Sequence, residues 1–93
     1  MIEGKAHAEA FVIEPDGRIH DLKKAREKPT LEELQKAVGG YIETVRLPKR
    51  QGLLMIVNEE GLIHELAFNH RASALAHQDI VGPAIVLSRY LLD

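Results

Sequence analysis

Residues 30–47 constrain the fold most, because they specify a helix, both of its ends and the strand that leaves it. Thr30 can accept the backbone N–H of Glu33 while the Glu33 carboxylate reaches back to the N–H of Thr30, the reciprocal arrangement of a capping box. Pro29 cannot sit inside such a helix. Leu31, Leu34, Ala37 and Val38 recur at helical spacing as one apolar stripe, with Glu32, Glu33, Gln35 and Lys36 on the opposite side. Gly39 stands where a left-handed residue ends a helix, and residues 41–47 are rich in β-branched and aromatic side chains. A helix docked by one face on a sheet is the unit these signals describe.

The rest of the chain supplies the sheet. Residues 8–14 read as a strand, Pro15-Asp16-Gly17 as a tight turn, and residues 18–22 as the returning arm. Residues 23–28 form a polar, mostly basic link. Residues 48–52 are a loop and residues 53–57 an uninterrupted apolar run. In Asn58-Glu59-Glu60-Gly61 the asparagine can brace a hairpin and Gly61 take the left-handed position, so residues 62–66 are expected to pair back. Asn69 is placed to cap a short helix over residues 70–77, with Ala72, Leu75 and Ala76 on one face. After Gly82-Pro83, residues 84–92 read as the last strand. The hairpins make neighbouring strands antiparallel. The fold class expected is α+β, a mostly antiparallel sheet of five to six strands with one main helix packed on one face and a second short helix. At 93 residues, the chain 1–93 is read as a single domain.

Alternation along the strands adds a demand. Leu53, Met55 and Val57 point opposite to Leu54 and Ile56, and Ala84 and Val86 opposite to Ile85 and Leu87, so both faces of the sheet are apolar. A short alanine-rich helix is little cover for the second face. The expectation is that the sheet curls on its own core or that a second copy of the chain packs there, making a homodimer.

Composition removes several function classes. With no cysteine, disulfides and thiolate chemistry are excluded. A net charge of -2 gives no global attraction to nucleic acid or anionic membrane. The first ten residues carry Glu3, Lys5 and Glu9 and lack the apolar core of a signal peptide, and no segment approaches the roughly 20 apolar residues of a membrane span. No membrane association is expected, and the default location is the cytoplasm.

Chemistry-bearing patterns are few. Five histidines, His7, His20, His64, His70 and His77, lack metal-ligand spacing, Asp79 beside His77 being the nearest approach, so no metal and no cofactor is assigned. No phosphate loop, nucleophile elbow or paired-carboxylate pattern appears, and no catalytic residue is assigned. Asn69, His70 and Arg71 stand together at a helix start, where N–H groups and a guanidinium suit an anion, although capping alone explains Asn69. Arg46, Lys49 and Arg50 form a basic patch that could hold phosphates, but without the interleaved aromatics of a single-strand platform.

Three stretches also carry a likeness. Gln35-Lys36-Ala37-Val38-Gly39-Gly40-Tyr41-Ile42-Glu43, Ile56-Val57-Asn58-Glu59-Glu60-Gly61 and Phe68-Asn69-His70-Arg71-Ala72 resemble the small proteins of domain of unknown function 3846, with His70 where such proteins often have proline. The resemblance spans residues 30–87 and implies an accessory protein of phages, plasmids or bacterial genomes. It carries over no activity, substrate or catalytic residue.

The expected function is therefore a small non-catalytic accessory protein. It would bind a small anionic ligand through Asn69, His70 and Arg71 or the basic loop, or a protein partner, and self-associate through an apolar sheet face. Two alternatives stand beside it. One is a nucleic-acid-binding protein using Arg46, Lys49 and Arg50. The other is a small hydrolase using His64, His70 or His77 with Glu65 or Asp79. The two-faced strand gives a direct test: Met55→Lys and Ile56→Lys should each unfold the chain, because an unpaired buried lysine costs several kcal/mol, on the order of a small domain's whole stability. Circular dichroism and thermal melts check this, and two folded variants would refute the reading.

Overall fold

The computed structural model describes residues 10–23 and 27–92. Turn chemistry acts where the sequence places it. Gly17 has φ +96° and donates its N–H to the Glu14 carbonyl at 2.9 Å, while the Asp16 carboxylate accepts the Arg18 N–H at 3.0 Å. The strands on either side, β1 (Ala10–Ile13) and β2 (Ile19–Lys23), consequently pair antiparallel. Ala8 and Glu9 of the expected first strand, residues 24–26 of the basic link, His7 and the N-terminal stretch lie outside the described residues.

Helix α1 (Leu31–Val38) begins and ends on its predicted signals. The Glu33 N–H donates to Thr30 Oγ1 at 3.1 Å, the Thr30 N–H donates to Glu33 Oε1 at 2.8 Å, and Gly39 closes the helix at φ +83°. Strands β3 (Ile42–Arg46) and β4 (Leu53–Asn58) follow as a hairpin; helix α2 (His70–Ala76) and strand β5 (Ala84–Ser88) complete the fold. All five strands form one antiparallel sheet in the order β2-β1-β5-β4-β3. The class is α+β.

The last strand to be made thus enters the middle, between β1 and β4. That position explains why β4 and β5 are apolar on both faces. On one face Ile13, Val45, Met55, Val57, Ala84 and Val86 pack beneath Ala72 and Ala76 of α2 and Ile80 beyond it. On the other Ala10, Val12, Ile56, Ile85 and Leu87 pack beneath Leu34 and Val38 of α1, joined by Leu91 from the 3₁₀ turn Arg89–Leu92. Met55 and Ile56 are both 0% exposed within one chain. Burial of the second face therefore requires no second subunit, contrary to the expectation that α2 is too small to provide it.

Four local readings are corrected. Residues 62–66 form no strand. Successive bonds from His64 N–H to Glu60 O, Glu65 N–H to Leu62 O and Leu66 N–H to Gly61 O wind them into a compact turn, and both sides of β4 are already taken by β3 and β5. The left-handed residue of that turn is Glu65, at φ +56°, and not Gly61. Gly61 is needed for space instead, since a Cβ there would sit 2.8 Å from Val81 Cγ2. Leu31 belongs to the α1 stripe by spacing but is 59% exposed, because the helix rests on Leu34 and Val38. The final strand ends at Ser88, where Arg89–Leu92 turns to bring Leu91 under α1.

The α1 cap carries a charge pattern with a defined pH response. Its own Thr30 N–H, then the Lys23 ammonium at 3.1 Å, hold Glu33 below its ordinary value of 4.5, and Glu33 in turn raises Lys23 above 10.5. A lowered folded pKa stabilises above the unfolded value and is lost as pH falls through the folded one, whereas the raised lysine is lost as pH rises through its folded value. The parent's advantage in melting temperature over Glu33→Gln should therefore be present at neutral pH and be lost as the pH falls through the lowered folded value. Thr30→Ala should cost about 1 kcal/mol, read from denaturant unfolding.

Candidate functional site

Asn69 is 0% exposed and spends its whole side chain on the fold. Nδ2 donates to the Ile13 carbonyl at 2.9 Å and to the Gly82 carbonyl at 2.9 Å, while Oδ1 accepts the Ala72 N–H at 3.1 Å. Its backbone N–H donates to the Ile80 carbonyl at 2.8 Å. One residue thus caps α2, pins it to the end of β1 and fixes the 80–82 link. His70 turns outward, its ring 4.7 Å from that of Phe68 in an edge-on contact. Of the three residues grouped at this helix start, Arg71 is the one that reaches a concavity.

That concavity is a groove of about 450 Å³ on the α2 side of the sheet. Phe11, Ile13, Leu53 and Val86 line its sheet side, Ala74 and Leu75 its helix side, and Arg50 and Arg71 the rim. Its origin is geometric. A seven-residue helix is about 10 Å long, while five strands at about 4.8 Å spacing make a face about 19 Å across; Ala72, Ala74 and Ala76 add little width. Phe11, Leu53 and Leu75 are left half-buried beside the core. Neither rim guanidinium has a hydrogen bond or ion pair among the described residues. Size, apolar lining and a small number of polar lining groups match small-molecule sites in general.

The rest of the basic patch is arranged differently. Arg46 opens on a neighbouring cleft with Gln51 and Arg89, which shares Leu47 and Leu53 with the groove, and Lys49 projects from the turn before β4. Arg89 donates to the Gln51 carbonyl at 3.2 Å. On the same face but beyond α2 lies an acidic cleft of about 300 Å³, bordered by Glu43, Glu59, Glu60 and Asp79, with Leu62 and Ile63 on its lip.

A family model described as Domain of unknown function (DUF3846) matches residues 8–90. The chain belongs to this family. No curated protein and no solved structure matches it. In this DUF3846 chain two of the stretches that carry the likeness meet at the buried Asn58, and the third holds a second buried asparagine, Asn69. Asn58 Nδ2 donates to the Val38 carbonyl at 3.0 Å and Oδ1 accepts the Glu60 N–H at 2.7 Å, and a Cβ on Gly40 would press to 2.9 Å from Asn58 Nδ2. Asn69 makes the second joint, with His70 in the following position leaving the cap intact.

The histidines of the DUF3846 chain are dispersed. His64 lies 3.4 Å from Glu60, His20 pairs with Glu14 at 2.8 Å, His77 ends α2 in the left-handed conformation, and Asp79 borders the acidic cleft. Among the described residues no group of three or more His, Asp or Glu is arranged to hold a metal ion. Nor is any helix there long and apolar enough to cross a membrane. Sequence reasoning missed the groove because its residues come from positions 11 to 86, and missed the acidic cleft for the same reason; only the apolar Leu62-Ile63 pair beside Glu59 and Glu60 hinted at the latter. The Asn69 joint is testable. Asn69→Ala leaves two buried carbonyls without their donor and should cost about 3 kcal/mol, lowering the melting temperature by roughly 12–24 °C. His70→Ala, on an exposed ring, should change it little.

Proposed function

We propose that this DUF3846 protein is a non-catalytic accessory protein that binds a small anionic ligand with an apolar body in the groove between α2 and the β1-β5 side of the sheet. One observation carries the reading: two guanidinium groups without partners among the described residues, Arg50 and Arg71, flank a groove whose wall is otherwise apolar. An apolar body would cover the half-buried Phe11, Leu53 and Leu75, gaining about 25 cal/mol per Å² removed from water. Its carboxylate, sulfonate or phosphate would meet one or both arginines in charge-assisted hydrogen bonds. The expected anion site thus keeps Arg71 and takes Arg50 from the basic patch, while Asn69 serves by holding α2 in place and His70 lies outside the groove. The likeness to proteins of phages, plasmids and bacterial genomes fits such a role in the cytoplasm.

Anilinonaphthalene sulfonate combines the two features required and reports its own burial by fluorescence. The folded protein should bind it saturably, and Arg50→Glu with Arg71→Glu should weaken it about tenfold, equivalent to about 1.4 kcal/mol. A neutral apolar dye should be held equally by both forms at a protein concentration low enough for both to be monomeric. Equal binding of the sulfonate by parent and double variant would refute the proposal.

A further inference from the structure

The turn at residues 59–65 presents Leu62 at 80% and Ile63 at 75% exposure, the two most exposed large apolar side chains among the described residues. They do not dangle. Bonds from His64 N–H to Glu60 O at 3.0 Å, Glu65 N–H to Leu62 O at 3.1 Å and Leu66 N–H to Gly61 O at 3.0 Å fix the turn, and Asn58 Oδ1 anchors its start through the Glu60 N–H. Glu65 accepts a left-handed backbone there, a conformation that costs a non-glycine residue energy. The knob is thus pre-organised, which lowers the entropy lost when something binds it. Around it stand Glu59, Glu60 and Glu65, and Glu43 and Asp79 border the cleft beneath.

The groove is its complement in chemistry and sign, apolar within and flanked by Arg50 and Arg71. We infer that the Leu62-Ile63 knob of one copy seats in the Arg50-Arg71 groove of a second copy, with the acidic residues of the turn facing the two arginines. Knob and groove lie on the same face of the sheet, the groove against Arg71, Ala74 and Leu75 of α2 and the knob beside Gln78, Asp79 and Val81 beyond it. A two-fold axis in the plane of that face carries each knob over the other copy's groove, so two identical contacts close the assembly as a dimer and no open filament grows. The second copy does not complete the core, which one chain already buries. It covers the half-open groove and the exposed knob at once. The inference rests on the groove proposed above being a receptive surface, and makes its occupant in the dimer a segment of the protein itself, in competition with the small anion.

Sedimentation or light scattering at about 100 μM and low salt tests it. The parent should run at twice the 10.4 kDa chain mass, and should dissociate as salt is raised, since exposed charge pairs are screened. Leu62→Ser with Ile63→Ser should give a folded monomer, as should Arg50→Glu with Arg71→Glu, each weakening association at least tenfold. Mixing these two variants should restore association, weaker than the parent's, through the one intact contact in which the second variant's knob meets the first variant's groove. A monomeric parent, or a dimer that survives both double variants, overturns the inference; so does failure of the mixture to associate when each variant alone is monomeric. The knob variant separates this from the ligand reading. It should bind anilinonaphthalene sulfonate more tightly than the dimeric parent. No dye binding by it, with dimerisation otherwise as described, would refute the ligand and leave the dimer standing.

Discussion

Everything in this fold follows from placing β5 between β1 and β4. A central strand with partners on both sides exposes no edge, and its side chains alternate into two interiors, so Ala84 and Val86 must be buried on one side and Ile85 and Leu87 on the other. The two helices are the answers to those two demands. They are not equivalent, because α1 brings leucine and valine to its face while α2 brings alanines.

That inequality links stability to function. The alanines of α2 share in burying Met55 and Val57 completely or nearly so, but they leave the flank of the same face half-covered. The exposed remainder is the groove. Asn69 then matters more than its size suggests, because the helix it anchors has few apolar contacts to hold it and three of its hydrogen bonds reach β1, α2 and the 80–82 link. A loosened α2 would lose the groove before the sheet lost its pairing.

Charge on this face is also sorted. Arg50 and Arg71 flank one opening and Glu43, Glu59, Glu60 and Asp79 border the other, although the whole chain carries only -2. Net charge conceals such separation, since it sums what the fold keeps apart. It is the local field at each opening that selects a partner's sign.

The local signals were legible because they act over a few residues. The Thr30 capping box, the left-handed Gly39, the Pro15 to Gly17 turn and the Asn69 cap each satisfy backbone groups within three or four positions, and the α+β class and the DUF3846 family were both readable from such stretches. The two-faced apolarity of residues 53–57 and 84–87 was legible too, as alternation. Which strands pair was not. The stretch 62–66, after its turn, resembles a hairpin partner in isolation, and becomes an exposed turn only because β3 and β5 already hold both sides of β4. The same holds for the candidate site. Sequence reasoning put Arg71 with Asn69 and His70, and Arg50 with Arg46 and Lys49, because neighbours in the chain are all that it can group. Strand order regrouped them. It sent Asn69 into the interior and set Arg50 and Arg71 across one groove, because long-range pairing and the width left uncovered by a seven-residue helix are properties of the packed sheet and of no single segment.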